Sequence, residues 1–106
     1  MDINYELYKV FYHVASTLSF SEASKQLFIS QSAVSQSIKT LERKLDQVLF
    51  IRSTKKVQLT PEGEILLRHI EPAMHLIQRG ESQLLPVDRF GLEPVIRSAD
   101  IFWFPI

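Results

Sequence analysis

The side chains of this chain that can do chemistry by type and spacing are hydrogen-bond donors and cations. Gln31, Ser32, Ser35, Gln36, Lys39 and Arg43 fall on one side of a helical repeat. Val34, Ile38, Leu41 and Leu45 fall on the other, at steps of four, three and four. Short amides and hydroxyls in the first turns of such a helix suit base edges in a DNA major groove, which is wide enough for one α-helix. Cations in the later turns suit phosphates. Most exposed helices also carry a polar face, so the surrounding elements decide what this face is for.

Those elements have the form of a helix-turn-helix. Ser19-Phe20-Ser21-Glu22 fits the capping box, in which Ser19 and Glu22 each satisfy an amide at a helix start. A short helix follows with Ala23, Leu27 and Phe20 facing inward. Phe28-Ile29 ends it, and Ser30 caps the next helix through its hydroxyl. Only a few residues separate the two helices, and the second opens on uncharged donors and turns basic further along. After Asp46, Leu49-Phe50-Ile51-Arg52 and Val57-Gln58-Leu59-Thr60 are short β-prone runs about the dibasic Ser53-Thr54-Lys55-Lys56, and they predict a two-stranded hairpin. Beside a helix-turn-helix such a hairpin is a wing, with Arg52, Lys55 and Lys56 in reach of backbone phosphates or an adjacent minor groove. Taken alone, it is a surface hairpin with solubilising lysines.

Longer helices are predicted on either side. From Ile3 to Leu18, Tyr5, Tyr8, Phe11, Tyr12 and Ala15 recur at helical steps, with Leu7, Val10, Val14 and Leu18 as a second apolar stripe. So wide an arc fits either a well-buried helix or one that also meets a partner chain. Thr60-Pro61-Glu62 starts the last helix, with Thr60 as N-cap, Pro61 at the first helical position, and Glu62 and Glu64 at the positive end. Leu66, Ile70, Ala73, Ile77, Gly80 and Leu84 then repeat at steps of four and three. Running to Leu85, this helix is about 37 Å long. That is more seam than so small a domain covers, and it predicts pairing with another chain. Pro72 lacks an amide donor and predicts a bend or two shorter segments, and Leu85-Pro86 ends the helix.

Bulk charge hides the basic concentration. The net charge is zero, with 12 Lys+Arg against 12 Asp+Glu, but residues 1–60 carry eight basic and five acidic side chains and residues 61–106 four and seven. Six of those eight basic residues lie between Lys39 and Lys56, where they can steer a polyanion. The chain has 106 residues, 45% hydrophobic and 23% charged, as in ordinary soluble globular chains, and the length suits one small domain with an appendage. It holds no cysteine, which removes disulfides, thiolate zinc sites and cysteine nucleophiles. His13, His69 and His75 are its only histidines, and no H-E-x-x-H, glycine-rich phosphate loop or Gly-x-Ser-x-Gly accompanies them. These absences argue against an enzyme, a metal site or a cofactor. No run approaches the roughly 18 apolar residues of a membrane span, and the start MDINYELYK is not a signal peptide, so a cytoplasmic location is expected.

The segment Phe11 to Gly63 resembles the N-terminal DNA-binding domain of LysR-type transcriptional regulators. The resemblance rests on Phe11…Val14-Ala15, Ser19-Phe20…Ala23, Gln31-Ser32-Ala33-Val34-Ser35, Ile38…Leu41-Glu42, Leu49-Phe50…Arg52 and Leu59-Thr60…Gly63, in the family's order and at its spacing. It implies a mainly α fold: a winged helix-turn-helix of three helices and a two-stranded wing in residues 1–60, then a linker helix in 61–85 that dimerises antiparallel to its mate. By matching position, Gln31, Ser32, Ser35 and Gln36 read bases. Lys39, Arg52, Lys55 and Lys56 complete the DNA-binding set, with Arg52 and the two wing lysines at phosphates or the minor groove. Ser21 and Ser32 meet phosphate at helix N-termini. Glu42 is implied as a structural hydrogen-bonding partner, and Leu66, Ile70, Ala73, Ile77 and Leu84 as the dimer seam.

The departures are specific. Ser24 stands where the family often has alanine, Asp46 where it usually has glycine, and Leu18 where a glycine is common. Residues 86–106 do not resemble the start of the family's effector domain, so no small-molecule effector site is expected in this chain. Their apolar end, Ile101-Phe102-Trp103-Phe104-Pro105-Ile106, is expected to dock on the domain or a partner. The expected partners are double-stranded DNA and a second copy of the chain. The alternative is a helical dimerisation module that sequesters full-length relatives without binding DNA itself.

Overall fold

A computed structural model describes residues 2–53 and 56–85, so the expectations for Lys55 and for the 86–106 tail lie outside the described residues. The element order is α1 (Tyr5–Thr17), α2 (Phe20–Leu27), α3 (Gln31–Leu45), β1 (Phe50–Arg52), β2 (Val57–Leu59) and α4 (Pro61–Leu84). The chain falls into two units, one ending at His75 and the other beginning at Leu76.

Side-chain oxygens start the helices. Asn4 Oδ1 accepts from the Glu6 amide at 2.7 Å, Ser19 Oγ from Glu22 at 3.0 Å and Ser30 Oγ from Ala33 at 3.0 Å. Each bond satisfies one of the donors that a helix N-terminus leaves unpaired. The expected capping box is only half formed. The Ser19 amide donates to Thr17 Oγ1 at 3.2 Å, while Glu22 faces Lys25 at 3.6 Å. The hydroxyl two residues back is the nearer acceptor, which leaves the Glu22 carboxylate to the exposed lysine.

The first three helices end on left-handed residues, none of them glycine: Leu18 (φ 52°), Phe28 (φ 58°) and Asp46 (φ 54°). Each turns the chain sharply enough to bring its amide back to the last turn, as Leu18 does to the Val14 carbonyl at 2.7 Å. Leu18 therefore closes α1 one residue before the predicted end, and Asn4 opens it two residues after the predicted start.

The core sits where α1, α2 and α3 pack pairwise and the wing closes over them. Phe11, Val14, Ala23, Val34, Ile38 and Leu41 are fully buried. Phe50 brings the wing in: its ring centroid lies 5.4 Å from that of Phe11 and 6.2 Å from that of Phe20. Of the wide apolar arc on α1, Val10, Phe11, Val14 and Ala15 are buried, while Tyr5 and the flanking Leu18 are exposed. The strands pair antiparallel as Phe50 with Leu59, Ile51 with Gln58 and Arg52 with Val57.

Glu42 Oε2 accepts the amides of Leu49 at 2.8 Å and Phe50 at 3.3 Å, tying α3 to the start of the wing. This is the structural role expected of it. Thr60 ties the far end: buried, it accepts the Gly63 amide at 3.0 Å and donates to the Val48 carbonyl at 2.6 Å. A Cβ on Gly63 would stand 2.3 Å from the Leu49 carbonyl oxygen, so only glycine lets α4 start this close to the loop before β1.

The last helix continues through Pro72 as one element and does not divide into the two shorter segments that the proline allows. Pro72 and Arg68 are both exposed, so water can satisfy the carbonyl that the missing donor leaves unpaired. Leu66, Leu67 and Ile70 pack half-buried on the core, and Met74 is buried. Tyr12 Oη lies 3.3 Å from His75 Nε2.

Candidate nucleic-acid interface

Burial of Val34, Ile38 and Leu41 fixes which side of α3 faces out. Gln31, Ser32, Gln36 and Lys39 are exposed and Ser35 is half-buried at the edge of the same face. At 3.6 residues per turn these five positions cover an arc of about 140°. The helix opens on eight consecutive non-ionic residues, Gln31 to Ile38, and holds Arg43 and Lys44 in its last turn. Ser32 Oγ lies 3.2 Å from Ser30 Oγ, so the capping serine also holds one of the predicted readers in place.

A groove runs between the start of α2, the start of α3 and the wing. It is lined by Ser21, Gln31, Ser35, Arg52, Ser53 and Lys56 among others. Its described lining includes two cations and no carboxylate. Residues more than thirty positions apart in the chain, Ser21 and Lys56, thus share one anion-compatible depression. Of the predicted DNA-binding residues, Ser21, Gln31, Ser35, Arg52 and Lys56 meet there. Ser32, Gln36 and Lys39 lie on the exposed face of α3 instead.

Arg52 has partners that the sequence does not announce. Its Nη1 donates to Ser35 Oγ at 2.9 Å, and its Cζ lies 4.3 Å from the centroid of the Phe20 ring. A cation over an aromatic face at an exposed site contributes about 0.5–1 kcal/mol. Phe20 therefore serves the core with one side and carries the guanidinium on another. The sequence signal is the Phe20 ring beside the α2 cap, but pairing it with Arg52 needs the strand register.

The predicted dimer residues divide by environment. Leu66 and Ile70 rest half-buried on the core of their own unit, whereas Ala73 is exposed. In the second unit Leu76, Ile77, Leu84 and Leu85 are exposed, Leu84 at 87%. Among the described residues no cluster of His, Asp or Glu is arranged to hold a metal, and no helix is long and apolar enough to cross a membrane.

A short helix held by a tight turn against a second helix, with a hairpin closing over both, defines a winged helix-turn-helix. The chain belongs to the bacterial regulatory helix-turn-helix proteins of the lysR family, whose profile matches residues 5–64. That family is a class of regulators and not of enzymes. The HTH-type transcriptional regulator PerR of Escherichia coli is 43% identical over 74 residues, which cover 70% of this chain and 25% of PerR. The HTH-type transcriptional regulator HdfR of Yersinia enterocolitica is 39% identical over 79 residues, covering 74% of this chain and 27% of HdfR. The chain thus spans about a quarter of the length of these relatives.

Solved structures agree with the fold. A complex of the BenM DNA-binding domain with catB site 1 DNA matches with a TM-score of 0.70 at 26% identity, covering 76% of this chain and 91% of that one. A CbnR DNA-binding domain–DNA complex matches at 0.67 and 27% identity, covering 76% and 93%. A Corynebacterium glutamicum OxyR variant matches at 0.71 and 32% identity, covering 77% and 26%.

Proposed function

We propose that this domain regulates transcription by binding double-stranded DNA, with α3 in the major groove and the wing at the flanking backbone. The observation that carries the reading is the convergence of Gln31 and Ser35 with Arg52 and Lys56 in one groove free of described carboxylates. Uncharged donors approach base edges while cations neutralise phosphates, which separates sequence readout from affinity. The DNA complexes of the BenM and CbnR domains, which share this fold, support the same assignment.

The finer reading is sequence-specific binding as a homodimer. Gln31, Ser32, Ser35 and Gln36 read bases, and Ser21, Lys39, Arg52, Lys55 and Lys56 address the backbone or minor groove. The exposed Leu76, Ile77, Leu84 and Leu85 supply apolar surface that a second copy covers. Ala73 extends the seam, and Leu66 and Ile70 contribute what their own core leaves open. Two recognition helices then meet half-sites related by a dyad.

Selection of duplexes from a random pool, followed by anisotropy titration at two salt concentrations and sedimentation, tests the reading. An enriched dyad-symmetric site bound by a dimer, with affinity falling steeply with salt, is expected. Salt-insensitive binding, or no duplex binding at all, overturns it.

A further inference from the structure

Arg52 stands in the groove as a cation, and its geometry ties it to two neighbours. Its guanidinium is held on two sides, by the Phe20 ring 4.3 Å from Cζ and by Ser35 Oγ 2.9 Å from Nη1. Phe20 belongs to the buried core, so the platform under the guanidinium is fixed. Ser35 sits on α3 four residues after Gln31, at the edge of the outward face.

The direction of the hydrogen bond decides what Ser35 can offer. A hydroxyl has one donor and two acceptor positions, whereas a guanidinium only donates. The bond from Arg52 therefore occupies a lone pair of Ser35 Oγ and turns the hydroxyl hydrogen away from the cation. Among the described residues, Ser35 Oγ has no other hydrogen-bond partner. The hydrogen is left to donate outward. In a major groove the atoms that take such a bond are guanine N7 and O6, adenine N7 and thymine O4.

We infer that Arg52 is a positioning residue for readout: by holding Ser35 Oγ as an acceptor it fixes the Ser35 hydroxyl as a donor to a base acceptor. The inference rests on the DNA-binding reading above and gives Arg52 a second task within it. A phosphate contact needs positive charge alone, which lysine supplies. Positioning needs the planar fork on the Phe20 ring with one N–H aimed at Ser35, which lysine does not reproduce.

The test starts from a duplex that the wild-type protein selects from a random pool and compares wild type, Ser35→Ala, Arg52→Lys and the double variant. Thermal melting confirms that each is folded. Ser35→Ala and Arg52→Lys are each expected to weaken the selected duplex by about 2- to 10-fold, the range for one lost neutral hydrogen bond, and the double variant by no more than either. Repeating the selection with Ser35→Ala and with Arg52→Lys is expected to relax preference at one and the same base position. Binding of Arg52→Lys at wild-type strength, or additive losses, overturns the assignment and leaves Arg52 as a groove cation alone. Failure of the wild-type protein to enrich any duplex overturns the DNA-binding reading itself, and this assignment with it.

Discussion

The Thr60 hydroxyl donates to the carbonyl oxygen of Val48 at 2.6 Å, linking the end of β2 to the loop before β1. The same hydroxyl oxygen accepts the Gly63 amide at 3.0 Å, so one buried side chain both closes the hairpin and caps α4. Thr60→Val keeps the shape and removes both bonds, leaving a buried amide and a carbonyl unpaired. A loss of about 1–3 kcal/mol is expected from denaturant unfolding, since an unsatisfied buried group carries its full desolvation cost. Thr60→Ser keeps the hydroxyl and should lose less. Equal losses in the two variants would assign the effect to the methyl group instead.

Gly63 is the second half of that joint. The Cβ of alanine there would meet the Leu49 carbonyl oxygen at 2.3 Å and Leu59 Cδ2 at 2.8 Å. The leucine methyl can move, but the carbonyl belongs to a backbone already held by the Thr60 amide at 3.0 Å. Gly63→Ala is expected to destabilise by at least the roughly 1–3 kcal/mol typical of overpacking, despite alanine's better helix propensity. At Gly80 a Cβ would meet nothing within 4 Å, so Gly80→Ala should instead stabilise by about 0.8–1 kcal/mol. The contrast between the two melting temperatures checks both.

Phe28 carries a backbone cost without a compensating contact from its ring: it sits at φ 58° and is 91% exposed. A left-handed non-glycine residue costs roughly 1–2 kcal/mol, which glycine avoids. Phe28→Gly is expected to raise the melting temperature, partly offset by the extra freedom of glycine in the unfolded chain. A lower melting temperature would mean that the ring makes contacts in solution that its exposure does not reveal.

Much of this architecture is legible in the sequence because hydrophobic spacing states which face of a helix is buried. Val34, Ile38 and Leu41 at steps of four and three place the donors of α3 outward, and burial agrees. Ser30 and Thr60 are readable as caps because a hydroxyl at a helix start has one common use. What stays hidden depends on contacts between distant positions. The Arg52–Ser35 bond needs the wing register and the packing of α3 together, and neither is a local property. Ser19-Phe20-Ser21-Glu22 has the letters of a capping box, yet Thr17 supplies the second acceptor because the turn brings its hydroxyl nearer. The seam on α4 reads as one stripe, but a repeat in sequence does not say which residues their own core has already used, and Leu66 and Ile70 are half covered by it.

On the proposed DNA-binding reading, α3 supplies readout and the wing supplies affinity. Gln31 opens α3 with an amide able to form a bidentate pair with adenine, while Lys56 on the wing side of the groove offers charge without sequence information. Gln31→Ala is expected to weaken a selected duplex by about 1–3 kcal/mol and to leave binding to unrelated duplex nearly unchanged. Lys56→Ala should weaken both alike and lower the log–log salt slope by about 0.9, the release expected for one phosphate contact. Anisotropy titrations of the two variants against selected and unrelated duplexes at two salt concentrations measure both effects. A salt slope unmoved in Lys56→Ala, or equal losses on both duplexes in Gln31→Ala, would reverse the roles given to the helix and the wing.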